Sequence, residues 1–136
     1  MTTRRRAREV VLQMLFQLDF SFAKPADVVE LYRSSFGEGS LPDDFAVGLF
    51  LAVAADRDAI DARIVAISDN WRLERMSGVD RNILRLAVHE LLSSTDVPPR
   101  VAINEAVELA KRFGSTDSSA FVNGILDRIA HDEQRL

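Results

Sequence analysis

Ser77-Gly78-Val79-Asp80-Arg81-Asn82-Ile83-Leu84-Arg85-Leu86-Ala87-Val88-His89-Glu90-Leu91-Leu92 is the stretch on which the fold turns. Ser77 followed three residues later by an acid matches a capping box, so a helix starts here. Its apolar residues Val79, Ile83, Leu84, Leu86, Ala87, Val88, Leu91 and Leu92 cover most of the circumference. A helix apolar on that many sides is buried on several sides, which makes it the central helix of the fold.

Toward the C-terminus, Asp96-Val97-Pro98-Pro99 breaks the pattern and Val101 to Phe113 forms the next helix, with Gly114 placed to end it. Ser115 and Thr116 are suited to cap a last helix from Asp117 to about Asp132, whose inner face carries Val122, Ile125, Leu126 and Ile129. Toward the N-terminus, Asp69 to Met76 reads as a short connection around Trp71. Before it, Pro42-Asp43-Asp44 opens a helical stripe of Phe45, Leu49, Phe50, Val53, Ile60, Ile64 and Ile67 that runs to Ser68, as one long helix or two joined near Asp56. Pro25 to Phe36 is a further helix, terminated by Gly37 and Gly39. The first helix spans Thr3 to Phe20, with Thr2 or Thr3 as its cap and Ala7, Val10, Val11, Met14, Leu15 and Leu18 at helical spacing. No alternating strand pattern, repeat or low-complexity tract interrupts this series. The expected fold is an all-α bundle of six to seven helices in a single domain over residues 1–136.

The 136 residues suffice for one hydrophobic core without disulfide or metal support. The absence of cysteine excludes a disulfide scaffold, a thiolate zinc site and a Cys nucleophile together, and fits a reducing cytoplasm. The basic start resembles that of a signal peptide, but Arg8, Glu9, Gln13, Gln17 and Asp19 interrupt the apolar region such a signal needs. Phe45 to Ala55, the longest nearly uncharged stretch, is too short to span a bilayer, so no membrane association is expected.

Catalytic constellations are missing. His89 and His131 lie far apart and show no metal-ligand spacing. Asp56, Asp58 and Asp61 lack the glycine-centred turn of a calcium loop and read as a solvated helical face. Asp43-Asp44 is accounted for by helix-start electrostatics. With six glycines and neither a phosphate loop nor a dinucleotide fingerprint, the chain reads as a non-enzyme with no cofactor, catalytic residue or metal site.

Charge segregation points elsewhere. Arg4, Arg5, Arg6 and Arg8 lie within the first eight residues, leaving 13 basic against 21 acidic residues in the rest of the chain. A polyanion is attracted at this end and repelled elsewhere. The placement opposes the helix macrodipole by about 0.3–1 kcal/mol per cation, a cost that points to use. At 100° per residue, Arg5, Leu12 and Phe16 fall nearly opposite the core residues Ala7, Met14 and Leu18. Cations for phosphates and a ring for base stacking are the two components of single-strand recognition. The same placement also fits packing of Leu12 and Phe16 on another helix of the bundle, or a protein-binding patch. A DNA-reading helix-turn-helix built from the last two helices is disfavoured, because Asp117, Asp127 and Asp132 outweigh Arg128 on the helix that would enter the groove.

Four blocks, Arg4 to Glu9, Asp80 to Leu91, Val97 to Lys111 and Phe113 to Asp127, closely resemble bacterial NusB proteins in the family's order. Phe20 to Trp71 matches weakly. The resemblance implies a transcription antitermination factor for ribosomal RNA synthesis. Such a factor pairs with ribosomal protein S10 (NusE), recognises boxA-type RNA and joins an antitermination complex on RNA polymerase. It also implies that Arg4, Arg5, Arg6 and Arg8 form the arginine-rich RNA-binding motif, with Phe16 at a position usually held by an aromatic. Asp117 and Phe121 fall in the block bordering the RNA site, which makes the start of the last helix its other wall. Asp80 falls near the S10-facing surface. For Asp80 and Asp117 a plain helix-start role stays open, as does core-edge packing for Phe121. Phe16 has no hydroxyl where many relatives carry tyrosine, so stacking is retained and a hydrogen bond is not. In some relatives a homodimer covers the RNA surface, which leaves monomer and homodimer both open. The fold also occurs appended to RNA methyltransferases, whose catalytic domain this sequence lacks. From another class, a protein-only helical adaptor using an exposed apolar face is the alternative.

Overall fold

The computed structural model describes residues 3–35, 39–68, 73–93 and 96–135. Among them are seven α-helices and one single-turn 3₁₀ helix, with no strand. The chain divides into two compact units, Met1–Asp56 and Arg57–Leu136.

The first unit holds α1 (Arg4–Asp19), α2 (Pro25–Ser35) and α3 (Asp44–Ala55), with α1 packed on both of the others. Thr3 caps α1, its Oγ1 accepting the Arg6 backbone N–H at 3.1 Å. All six core residues expected on α1 are buried. Helix α2 buries Val28, Val29 and Tyr32, and the Tyr32 hydroxyl donates to Gln13 Oε1 at 2.6 Å, satisfying its polar end inside an apolar contact. Asp43 caps α3 by accepting the Ala46 N–H at 2.8 Å, and the i, i+4, i+7 set Ala46, Phe50 and Val53 faces the core. Phe36 and Gly37, expected at the end of α2, lie outside the described residues.

The stripe from Phe45 to Ile67 resolves into two helices. Helix α3 ends at Ala55 with Asp56 as its C-cap, and α4 spans Arg57–Ile67. Helix α4 belongs to the second unit, together with the 3₁₀ turn Leu73–Arg75, α5 (Gly78–Ser93), α6 (Pro99–Phe113) and α7 (Ser118–Asp132). The central-helix expectation holds for α5, which buries residues from Asn82 to Leu91 on nearly every side and packs on α4, α6 and α7. Burial extends to charge. The Arg85 guanidinium donates to both Asp61 carboxylate oxygens, at 2.7 and 2.9 Å, and to Asn82 Oδ1 at 3.1 Å. Asp61 is thus a partner to a buried cation, and only Asp56 and Asp58 sit on the solvated face expected for all three. The periodicity of α4 cannot show this, because the partner is 24 residues away. Trp71 lies outside the described residues.

Candidate nucleic-acid interface

Four arginines one helical turn deep do not share one environment. Arg4 and Arg5 are exposed, Arg6 is half-buried and Arg8 is 4% exposed. Arg6 Nη1 binds Glu9 Oε2 at 2.8 Å, and Glu9 is itself buried, so this cation is matched locally. The Arg4 guanidinium lies over the Phe45 ring at 4.7 Å from its centroid, and that of Arg8 over the same ring at 5.9 Å. Arg4 and Arg5 are thus the exposed arginines at the start of α1.

Helical phase aligned Leu12 and Phe16 with Arg5, and the structure separates them. Leu12 is 5% exposed, whereas Phe16 is 40% exposed. The middle of that face is covered and its end is open. Phe16 lies about 16 Å along the helix from Arg5 at the standard rise. It contacts Phe20, the C-cap residue of α1, with ring centroids 4.9 Å apart and planes tilted by 52°. Phe20 is 68% exposed and Phe22 is fully exposed. Sequence reasoning missed Phe20 because it used that residue only to mark the end of a helix.

In the second unit, a pocket of about 250 Å³ is lined by Arg75, Met76, Ser77, Asp80, Ser115, Asp117, Ser118 and Phe121. It joins residues from two segments of sequence. The floor follows from local capping. Ser77 Oγ accepts the Asp80 N–H at 3.0 Å and starts α5, while Arg81 Nη1 donates to the carbonyls of Leu73 and Met76 and pins the 3₁₀ turn against that start. Asp80 Oδ1 is shielded from solvent and has no hydrogen-bond partner among the described residues. A buried acceptor without a donor is costly, and one that lines a pocket suits a group that receives a ligand.

The opposite wall is the α6–α7 junction. Ser115 and Thr116 do not cap α7 as expected. Instead the Ser115 N–H donates to Ser118 Oγ at 2.9 Å, and the two hydroxyls meet at 3.2 Å. Gly114 does terminate α6, for a reason other than a left-handed backbone. Its φ is −93°, and a Cβ there would meet Ser118 Oγ at 2.5 Å and the Ala110 carbonyl at 2.8 Å. Only glycine lets the chain close this tightly. Asp117 is the N-cap residue of α7 yet makes no cap hydrogen bond with its side chain, and its exposed carboxylate lines the pocket. Phe121, half-buried one turn further along, adds a ring.

The structure thus brings Asp80, Asp117 and Phe121 together, residues that the resemblance had divided between a protein partner and RNA. Arg75, Met76 and the serines were missed. They carry no motif of their own and matter only because the 3₁₀ turn and the Gly114 closure converge. Among the described residues, no group of three or more His, Asp or Glu is placed to hold a metal ion. No helix among them is long and apolar enough to cross a membrane.

An all-helical protein with a cationic helix start, an exposed aromatic pair and an acid-lined aromatic pocket has the components of a binding protein. The model of the NusB family matches residues 5–131, and the chain belongs to that family. It is 52% identical to the transcription antitermination protein NusB of Anaeromyxobacter dehalogenans (strain 2CP-1 / ATCC BAA-258) over 132 residues, 96% of this chain and 92% of that protein. Among solved structures, T. maritima NusB is similar with a TM-score of 0.85 at 37% identity, covering 98% of this chain and 96% of that one. A chain in the crystal structure of antitermination factors NusB and NusE in complex with dsRNA is similar at 25% identity with a TM-score of 0.81, over 96% of this chain and 99% of that one. The four-block resemblance is thereby a family membership across nearly the whole chain.

Proposed function

We propose that this chain is a non-enzymatic, cytoplasmic transcription antitermination factor that binds boxA-type RNA together with ribosomal protein S10 (NusE), within an assembly on RNA polymerase. The observation that carries the reading is the exposure of Arg4 and Arg5 at the start of a helix whose other end exposes Phe16, in a member of the NusB family. Arg4 and Arg5 contact phosphates, and Phe16 stacks on a base. Arg6 and Arg8 support these contacts from within, since one is ion-paired and the other buried. In the second unit, Phe121 offers a ring and Asp80 and Asp117 offer acceptors for base amino or imino groups, so this pocket reads bases where the arginines read backbone. Asp80 serves S10 as well if the two ligands meet at this pocket. The whole chain acts as a single RNA-binding domain.

Titration with a boxA-type RNA over a series of salt concentrations, with and without S10, tests the reading. Affinity falls steeply with salt, and S10 tightens binding. The slope of log affinity against log salt falls by about 0.7 for each of Arg4 and Arg5 replaced by alanine. An unchanged slope removes the arginines from the site. A second reading, a protein-only helical adaptor, draws on the exposed rings of Phe16, Phe20 and Phe22. It is favoured if RNA does not bind under any of these conditions while self-association or S10 binding depends on Phe20.

A further inference from the structure

Phe45 has no role in the core of α3, whose inward set is Ala46, Phe50 and Val53. It is the second residue of that helix, held in place by the Asp43 cap on the neighbouring Ala46 N–H. Two guanidiniums that are one turn apart on α1 lie over its ring, Arg4 at 4.7 Å and Arg8 at 5.9 Å. Both distances fall within the range in which the ring quadrupole attracts a cation.

Ring and carboxylate hold an arginine in different ways. Glu9 holds Arg6 with an opposite charge, which cancels what the side chain offers a phosphate. An aromatic face attracts the cation and leaves its charge intact, and it leaves the in-plane N–H fork of the guanidinium suited to a bidentate phosphate contact. An exposed arginine otherwise loses much of its rotamer freedom on binding. Restraint before binding reduces that loss.

We propose that Phe45 is a positioning residue for the RNA contact of Arg4: the ring, over which the buried Arg8 also lies, holds the Arg4 guanidinium in place without neutralising it. This rests on the RNA reading above. It places one determinant of RNA affinity on α3, outside the arginine-rich segment.

The first measurement needs no RNA. In the free protein, the Arg4 side-chain protons carry a ring-current shift that disappears in Phe45→Leu and persists in Phe45→Tyr. Circular dichroism and thermal unfolding establish that both variants fold, and the tyrosine variant keeps the test decisive if the leucine variant does not. Unshifted Arg4 resonances in the unmodified protein overturn the proposal outright. The second measurement is RNA affinity. Phe45→Leu weakens binding by about twofold to fivefold, the range a single exposed cation–π contact supports. Phe45→Tyr restores it, and Phe45→Leu adds no loss in an Arg4→Ala background. Equal losses with and without Arg4 overturn the coupling. A loss in Arg4→Ala with none in Phe45→Leu rejects the positioning role and spares the RNA reading. No loss in either rejects the RNA reading of this face along with the proposal.

Discussion

The start of α1 and the pocket between α5 and α7 treat charge in opposite ways. In the first unit Arg4 and Arg5 face outward and the nearby carboxylate, Glu9, is buried. In the second, Arg81 and Arg85 are turned to backbone carbonyls and to Asp61, while Asp80 and Asp117 line the pocket. In the proposed function, the first arrangement holds a polyanion through its phosphates, a contact that carries no sequence information. The second sets two carboxylates beside Arg75 and can accept hydrogen bonds from base edges. In the proposed function, affinity and selectivity fall to different units, in line with the general division of labour between phosphate and base contacts.

The largest expected effect tests whether the second unit's cations are structural. Arg85→Ala strips Asp61 of its partner in a mostly buried pair and lowers stability by about 3–5 kcal/mol, read by denaturant unfolding. The salt slope of RNA binding stays unchanged wherever the protein remains folded. A reduced slope would place Arg85 among the RNA contacts and erase the contrast.

Phe16→Leu comes next. It reduces RNA affinity by about 1–3 kcal/mol, the value of one stacked base, with a stability change near 0.5 kcal/mol or less. Substantial unfolding with intact affinity would return Phe16 to the packing role that its alignment with the buried Leu12 also allows.

Within α1, the comparison sharpens to two arginines three residues apart. Arg8→Ala costs about 1–3 kcal/mol of stability, because a buried cation and its stem are removed, and leaves the salt slope nearly unaltered. Arg5→Ala does the reverse. The smallest effect is expected from Asp80→Asn, which replaces one carboxylate oxygen with a donor. RNA affinity falls by about fivefold, roughly 1 kcal/mol, with no change in slope. A gain in affinity that depends on salt would show that Asp80 acts as a repulsive charge rather than as an acceptor.

Much of the fold was legible in the chain because local chemistry repeats at helical spacing. Thr3, Asp43 and Ser77 each cap the helix that follows, and Gly114 ends α6. The break near Asp56 was legible as an alternative, and the structure chose two helices. Legibility failed where a residue's partner is remote. Nothing near Asp61 marks it as the counter-ion of Arg85, and Ser115 reads as a cap until Ser118 is seen beside it. The site divides in the same way. The arginine cluster announces itself as a local excess of charge, while the pocket is assembled from residues 75–80 and 115–121 and has no signature in either segment alone.

The sequence by itself determined an all-helical chain, its helix starts and stops, and family membership through four blocks of residues. Those properties depend on neighbours within a few positions or on the chain read as a string. Only the tertiary structure decided which arginines are exposed and which buried, that Leu12 is covered and Phe16 is not, and that Phe45 lies under Arg4. Burial and pairing set the free energy of a charge or a ring, and both depend on elements that are distant in sequence.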